Sequence, residues 1–150
     1  MKTALYSSFL VLLAATACFA AGGDDILGVW NNEENDARIE IVKCGERYCG
    51  DIVWLKEPDY PAGSIEGTPG TPRIDHHNPD LALRKTPIIG LRIVHDFMYA
   101  GDDQWKGGTV YDPKNGKTYS GKITLVSPTS LKLRGFIGFS FIGRTTTWTR

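Results

Sequence analysis

Residues 38–56, RIEIVKCGERYCGDIVWLK, constrain the fold more tightly than any other part of the chain. Ile39 and Ile41 alternate with Arg38 and Glu40, the period of two that marks a strand with one face in a core and one in water. Residues 45–48 then separate Cys44 from Cys49, and a second apolar run follows, Ile52-Val53-Trp54-Leu55. Two strands joined by a four-residue loop form a hairpin, and the residues flanking that loop are expected to fall opposite each other. In a non-hydrogen-bonded antiparallel pair the α-carbons lie about 4.5 Å apart, within the reach of a disulfide. Cys44 and Cys49 therefore read as a bridge stapling the hairpin, worth roughly 2 kcal/mol for so short a loop. The alternatives are two free thiols or a metal pair. A lone C-x4-C with no second pair and no well-spaced histidines disfavours zinc there.

The start of the chain supplies a compartment that suits a bridge. Lys2 precedes an apolar run over residues 5–15, interrupted only by Ser7 and Ser8, and small residues end at Ala20. That is the layout of a secretory signal peptide over residues 1–20, too short to span a membrane as a mature helix. Cleavage after Ala20 removes Cys18 and leaves an even pair of cysteines in an oxidising periplasmic or secreted setting. The competing reading makes Cys18 a lipidated N-terminus, since Ala15-Thr16-Ala17-Cys18 is a degraded lipobox. Ala15 in place of leucine argues against it.

Residues 21–150 are enough chain for one domain with a single core. Without Lys2 the basic residues fall from 17 to 16 against 17 acidic ones, and no run of one sign stands out. Nucleic acid as a partner is disfavoured, because binding it needs a clustered basic face. No later segment is apolar for long enough to cross a bilayer as a helix.

Along the chain, Leu27-Gly28-Val29-Trp30 reads as a short strand ending in the turn composition Asn31-Asn32-Glu33-Glu34-Asn35-Asp36. After the hairpin, residues 57–87 contain six prolines and three glycines with almost no aliphatic periodicity, a long connection of the kind that is often functional. Within it Asn78 suits a helix cap, Pro79 the first helical position, and Arg84 with Lys85 the negative end of the dipole. Asp75 and Arg84 read as an ion pair pinning this loop. Further on, Leu91, Ile93, His95 and Phe97 share a strand face, as do Trp105, Thr109 and Tyr111 on the next strand, where Gly107-Gly108 suggests a bulge or close packing. Asp112-Pro113-Lys114-Asn115-Gly116 is a hairpin turn. Lys117 to Val126 alternates cleanly, with Tyr119, Ile123 and Leu125 inward. Leu131 and Leu133 alternate with Lys132 and Arg134, and a threonine-rich strand ends the chain. About eight strands with one long loop avoid exposed edges most economically as an all-β, antiparallel up-and-down barrel, with a sandwich as the other solution.

Linked motifs run through the domain: Gly28-x-Trp30, Cys44-Gly45 with Cys49-Gly50, Asn78-Pro79-Asp80 with Leu83-Arg84, and Trp105-x-Gly107-Gly108. Asp112-Pro113 with Gly116-Lys117-x-Tyr119, Leu133-x-Gly135, Gly138-Phe139 and Gly143-Arg144-Thr145 with Trp148-Thr149-Arg150 complete them. Together they resemble the exported bacterial domain-of-unknown-function 2147 family over nearly all of the mature chain. That resemblance implies an exported one-domain protein and no particular biochemistry. A looser similarity is to lipocalin and fatty-acid-binding barrels, in which a Gly-x-Trp indole on the first strand is covered by a basic residue from near the last. Gly28, Trp30 and Arg150 (or Arg144) stand at the matching ends. Fold alone says little about function.

For chemistry the chain offers little. It has no G-x-S-x-G elbow, no spacing selects a carboxylate pair, and no catalytic residue is assigned. Asp75-His76-His77-Asn78 is the one cluster with a metal-binding or acid–base look. Adjacent histidines on an extended strand point oppositely and grip one ion only if the loop bends, so the cluster reads as solvated loop, with no metal or cofactor assigned. A metal-dependent hydrolase on Asp75, His76, His77 and Asp80 is the third reading. The aromatics are the best material for a site, although aromatics in small barrels usually fill the core. An eight-stranded barrel either fills with side chains or holds one small ligand. The leading expectation is an exported binding protein whose largely apolar ligand is lined by Trp54, Trp105, Tyr111 and Tyr119, with Arg84 or Arg134 anchoring an acidic head. Thr109 and Gly121 would leave it space. The other is an envelope interaction module with a filled barrel, contacting a partner protein through residues 57–87. Residues 136–143 are too apolar for an ordinary exposed turn.

Overall fold

The computed structural model describes residues 22–150; the expected signal peptide and Cys18 lie outside them. Eight strands run in sequence order and close into one antiparallel barrel. They are β1 (Gly28–Asn31), β2 (Ala37–Cys44), β3 (Arg47–Leu55), β4 (Arg92–Tyr99), β5 (Gln104–Asp112), β6 (Lys117–Ser127), β7 (Ser130–Phe136) and β8 (Gly143–Thr149). The expected architecture is therefore the observed one. Period-two patterning does most of the specifying: on β6, Gly121, Ile123 and Leu125 are buried while Lys122 and Thr124 between them are only partly covered. Ile123 meets Trp105 on one side and Leu133 on the other.

The β2–β3 hairpin differs from its expected form. Cys44 pairs with Arg47 and Val42 with Cys49, so the loop is the two-residue Gly45-Glu46, with Gly45 at φ +66°. Two-residue hairpin loops demand a positive φ, which glycine supplies without strain. The cysteines are bonded as expected, but as a diagonal pair with α-carbons 5.9 Å apart rather than directly opposed. That spacing sits in the middle of the disulfide range.

Two strands also depart from simple alternation. Gly107 adopts φ +77° at a register shift between Lys106 and Gly108. The bulge moves the inward phase, so that Gly108 follows Trp105 inside and Thr109 pairs with Ser120 and His95 on the other face. On β4 both Val94 and Phe97 are buried across from Gly50 and Tyr48, again over a register shift, so His95 does not share the face of Phe97. Gly108 and Gly121 are register partners, and a Cβ on either would lie 2.3 Å from the Phe97 ring. These glycines leave no void. Phe97, wholly buried, fills the space they make.

The barrel is closed at the end where β1 starts. A short 3₁₀ turn, Gly23–Ile26, plugs the end with Ile26 fully buried. Trp30 Nε1 donates to the Ile26 carbonyl at 2.8 Å and Trp105 Nε1 to the Gly23 carbonyl at 3.1 Å. Tyr48 donates to Asp24 at 2.8 Å, so the polar tips of Trp30, Trp105 and Tyr48 are all satisfied by the plug. Arg150 stacks on Trp30 as the Gly-x-Trp similarity implied.

The long connection between β3 and β4 carries its own ladder, with bridges Asp59–Pro72 and Ile74–Pro87. Its helix is smaller than expected: a single 3₁₀ turn, Leu81–Leu83, capped by Asp80, whose carboxylate accepts from the Ala82 amide at 2.9 Å. Asn78 lies outside the turn because its side-chain oxygen accepts instead from the Asp80 amide. The expected Asp75–Arg84 pair is not formed. Arg84 donates to the Asn78 carbonyl, while Asp75, fully buried, accepts from Tyr111 at 2.8 Å and from Asn78 at 2.7 Å.

A capped barrel cavity as the candidate site

The plug, the β2–β3, β4–β5 and β6–β7 turns and the chain end lie at one end of the barrel, so the long connection and the other three turns gather at the opposite end. There a cavity of about 1010 Å³ opens. Its deep wall is aliphatic and aromatic, from Ile39, Ile52, Ile93, Leu133 and Trp148, with Val110 and Thr146 beside them. Ile39 and Ile52 are only 1% and 3% exposed.

The mouth is polar and tied across. Lys114 on the β5–β6 turn pairs with Glu34 and Asp36 on the β1–β2 turn, and Arg144 at the start of β8 pairs with Glu33. The carboxylates, Glu34 foremost, hold the Lys114 ammonium above its usual range. The long connection forms the remaining side. Tyr60 is buried within it, packed on Gly67 and under the Arg73 guanidinium, 5.5 Å from its centroid. Its hydroxyl accepts from the Ile74 amide at 3.3 Å. The Asp75–Tyr111 bond fastens this loop to β5, and burial, reinforced by that carboxylate, pushes the Tyr111 phenol upward. A further lock lies at Gly116, whose missing Cβ leaves room for the His77 carbonyl.

Of the six ligand-contact residues expected from sequence, Tyr111 and Tyr119 line the cavity. Tyr119 faces Val110 in register and its hydroxyl accepts from Asn115. The other four do not meet there. Trp54 pairs with Arg38 on the outer face and lies under its guanidinium at 4.5 Å. Trp105 belongs to the closed end, edge-on to Tyr48. Arg134, alternating with inward Leu133, is external and donates to the Ser140 carbonyl and the Thr145 hydroxyl, bracing the β7–β8 loop. Arg84 is spent within the long connection.

Sequence reasoning missed Ile39, Ile52, Leu133 and Trp148 as cavity lining because they look like any inward residue; only strand stagger says which end is filled. It also missed the bend in the long connection. The His76 and His77 rings lie 3.9 Å apart, and both line the mouth together with Glu66.

A closed, sequentially wound barrel plugged at one end and open to a cavity at the other is a lipocalin-like barrel. Among solved structures it resembles a Helicobacter pylori protein, HP1028, described as belonging to the lipocalin family. The TM-score is 0.68 at 22% sequence identity, covering 83% of this chain and 81% of that one. The chain belongs to the DUF2147 family, described as an uncharacterized protein conserved in bacteria, whose profile matches residues 28–150. No match was found among curated proteins.

Proposed function

We propose that this is an exported binding protein that holds a small, largely apolar ligand in the upper half of its barrel. The observation that carries the reading is the cavity itself: about 1010 Å³, with an aliphatic and aromatic wall and a polar, charged rim. Ligand sites are commonly concavities of about 300–1,000 Å³ with apolar walls and few polar groups. Tyr111 and Tyr119 carry over from the expected ligand contacts, joined by Ile39, Ile52, Leu133 and Trp148. The signal-peptide pattern and the Cys44–Cys49 bridge both support export to an oxidising compartment. Among the described residues no helix is long and apolar enough to cross a membrane.

The test is titration with 1-anilinonaphthalene-8-sulfonate, read by energy transfer from tryptophan, of which Trp148 lines the cavity. Saturable one-to-one binding is expected. Thr146→Phe, which places a ring in the cavity, should weaken it by about tenfold or more, a loss of about 1.4 kcal/mol, with the fold intact. Non-saturable binding, or binding indifferent to that substitution, rules the reading out.

A second reading has its own observation. Ile137, Phe139, Phe141 and Ile142 of the β7–β8 loop are 62–76% exposed, and the two phenylalanine rings stack 5.5 Å apart beside the mouth. An apolar patch of this kind suits an envelope partner. Pull-down lost on Phe139→Ser/Phe141→Ser, with dye binding retained, would favour it.

A further inference from the structure

We propose that Glu66, His76 and His77 form a binding site for a divalent transition-metal ion of the zinc class at the mouth of the cavity.

Consecutive residues of an extended chain send their side chains to opposite sides. Here the chain is bent: the His76 amide donates to the Ile74 carbonyl at 2.9 Å and the Asn78 amide to the Asp75 carbonyl at 3.0 Å. The turn brings both imidazoles to the same side, 3.9 Å between centroids. Glu66 reaches them from the other limb of the loop, and one ligand atom from each of the three residues lies within 4.8 Å of the others. Asp75, the carboxylate that sequence reasoning grouped with the histidines, is committed to Tyr111 and Asn78. Glu66 takes its place.

A second observation points to a missing partner. Among the described residues, His76 Nδ1 is the one buried side-chain polar atom with no hydrogen bond. Leaving such a group unsatisfied is unfavourable. None of the three side chains makes an ion pair among the described residues. Two imidazoles and a carboxylate are a donor set that suits zinc and its neighbours, with a further position open to water or to a donor atom of whatever occupies the cavity. Metal–ligand distances of about 2.0–2.2 Å require the ligand atoms to close by roughly 1 Å. Glu66 and His77 are exposed and have the freedom to do so.

The backbone beneath is held in place. The His77 carbonyl rests against Gly116, and Asp75 is fastened to β5 through Tyr111. The other cluster of potential ligands, Cys44, Cys49 and Asp96, is no competitor, because its sulfurs are bonded to each other.

The test is calorimetric titration of chelator-treated, tag-free protein with zinc chloride, with cobalt(II) absorbance as a geometric readout. One equivalent is expected to bind. Glu66→Gln and His77→Ala should each weaken binding by at least about tenfold without moving the metal-free thermal midpoint, and His95→Ala should leave binding unchanged. Absence of binding, binding that persists in both loop variants, or binding lost in His95→Ala overturns the proposal.

Discussion

The Arg150 guanidinium lies over the Trp30 ring, 4.2 Å from its centroid, at the seam where the barrel closes. That seam is thin: β1 and β8 share one register pair, Asn31 with Thr149. Arg150 supplements it with hydrogen bonds to three main-chain carbonyls, those of Asp25, Leu27 and Pro128. One side chain thus joins the plug, the first strand, the β6–β7 turn and the chain end.

Arg150→Ala should therefore lower stability by about 2 kcal/mol, combining the cation–π contact with the charge-assisted bonds and discounting for exposure. Arg150→Lys should recover only part, since an ammonium lacks the planar fork that reaches three acceptors. Urea denaturation of the three proteins checks the order.

Gly121→Ala should cost about 1–3 kcal/mol by overpacking, because its Cβ would lie 2.3 Å from Phe97 Cζ. In a Phe97→Leu background the same alanine should be nearly free of cost. A double-mutant cycle measures that coupling, and simple additivity would mean that Phe97 is not what fills the glycine notch.

Tyr111→Phe removes one of the two donors to the buried Asp75 carboxylate and should cost about 1–3 kcal/mol. The loss should be local first. Limited proteolysis within residues 57–87 should accelerate before global unfolding shifts.

Alkaline stability should depend on the buried tyrosines. Burial, then the Asp24 carboxylate, pushes the Tyr48 phenol up from 10.0 to about 12, so the folded state keeps a proton that the unfolded chain releases. The contribution is fully present below pH 10 and is lost as pH rises through about 12. Tyr111 shifts the same way. Tyr48→Phe should flatten the decline in stability across that window, and Tyr48→Phe/Tyr111→Phe should flatten it further, with phenolate absorbance reporting the late titration.

Much of the fold was legible because its determinants are local. Alternation on β2 and β6 marks the buried face, Asp112-Pro113 with Asn115-Gly116 marks a turn, and the closeness of Cys44 to Cys49 follows from any tight hairpin. The candidate site was far less legible. Trp54 sits beside a register shift between Arg38 and Ile39, Arg134 lies on the outward phase that alternates with Leu133, and Trp105 faces inward yet serves the closed end. Expected contacts chosen by residue type therefore scattered over the outer face and the base. Tyr111 and Tyr119 were chosen on the same ground, and they line the cavity because they lie where β5 and β6 meet at the mouth.

The sequence by itself determined an all-β chain and its approximate number of strands, since period-two patterning, turn chemistry and nearest-neighbour pairing need no distant information. The clasp of an arginine on Trp30 was implied by the family resemblance, and the closed sheet selected Arg150 for it. The tertiary structure alone decided where the barrel is hollow. Phe97 enters the notch between Gly108 and Gly121, and the long connection bends to bring Glu66 beside His76 and His77. Both outcomes depend on contacts between residues far apart in the chain, whose volumes and register combine only once the sheet has closed.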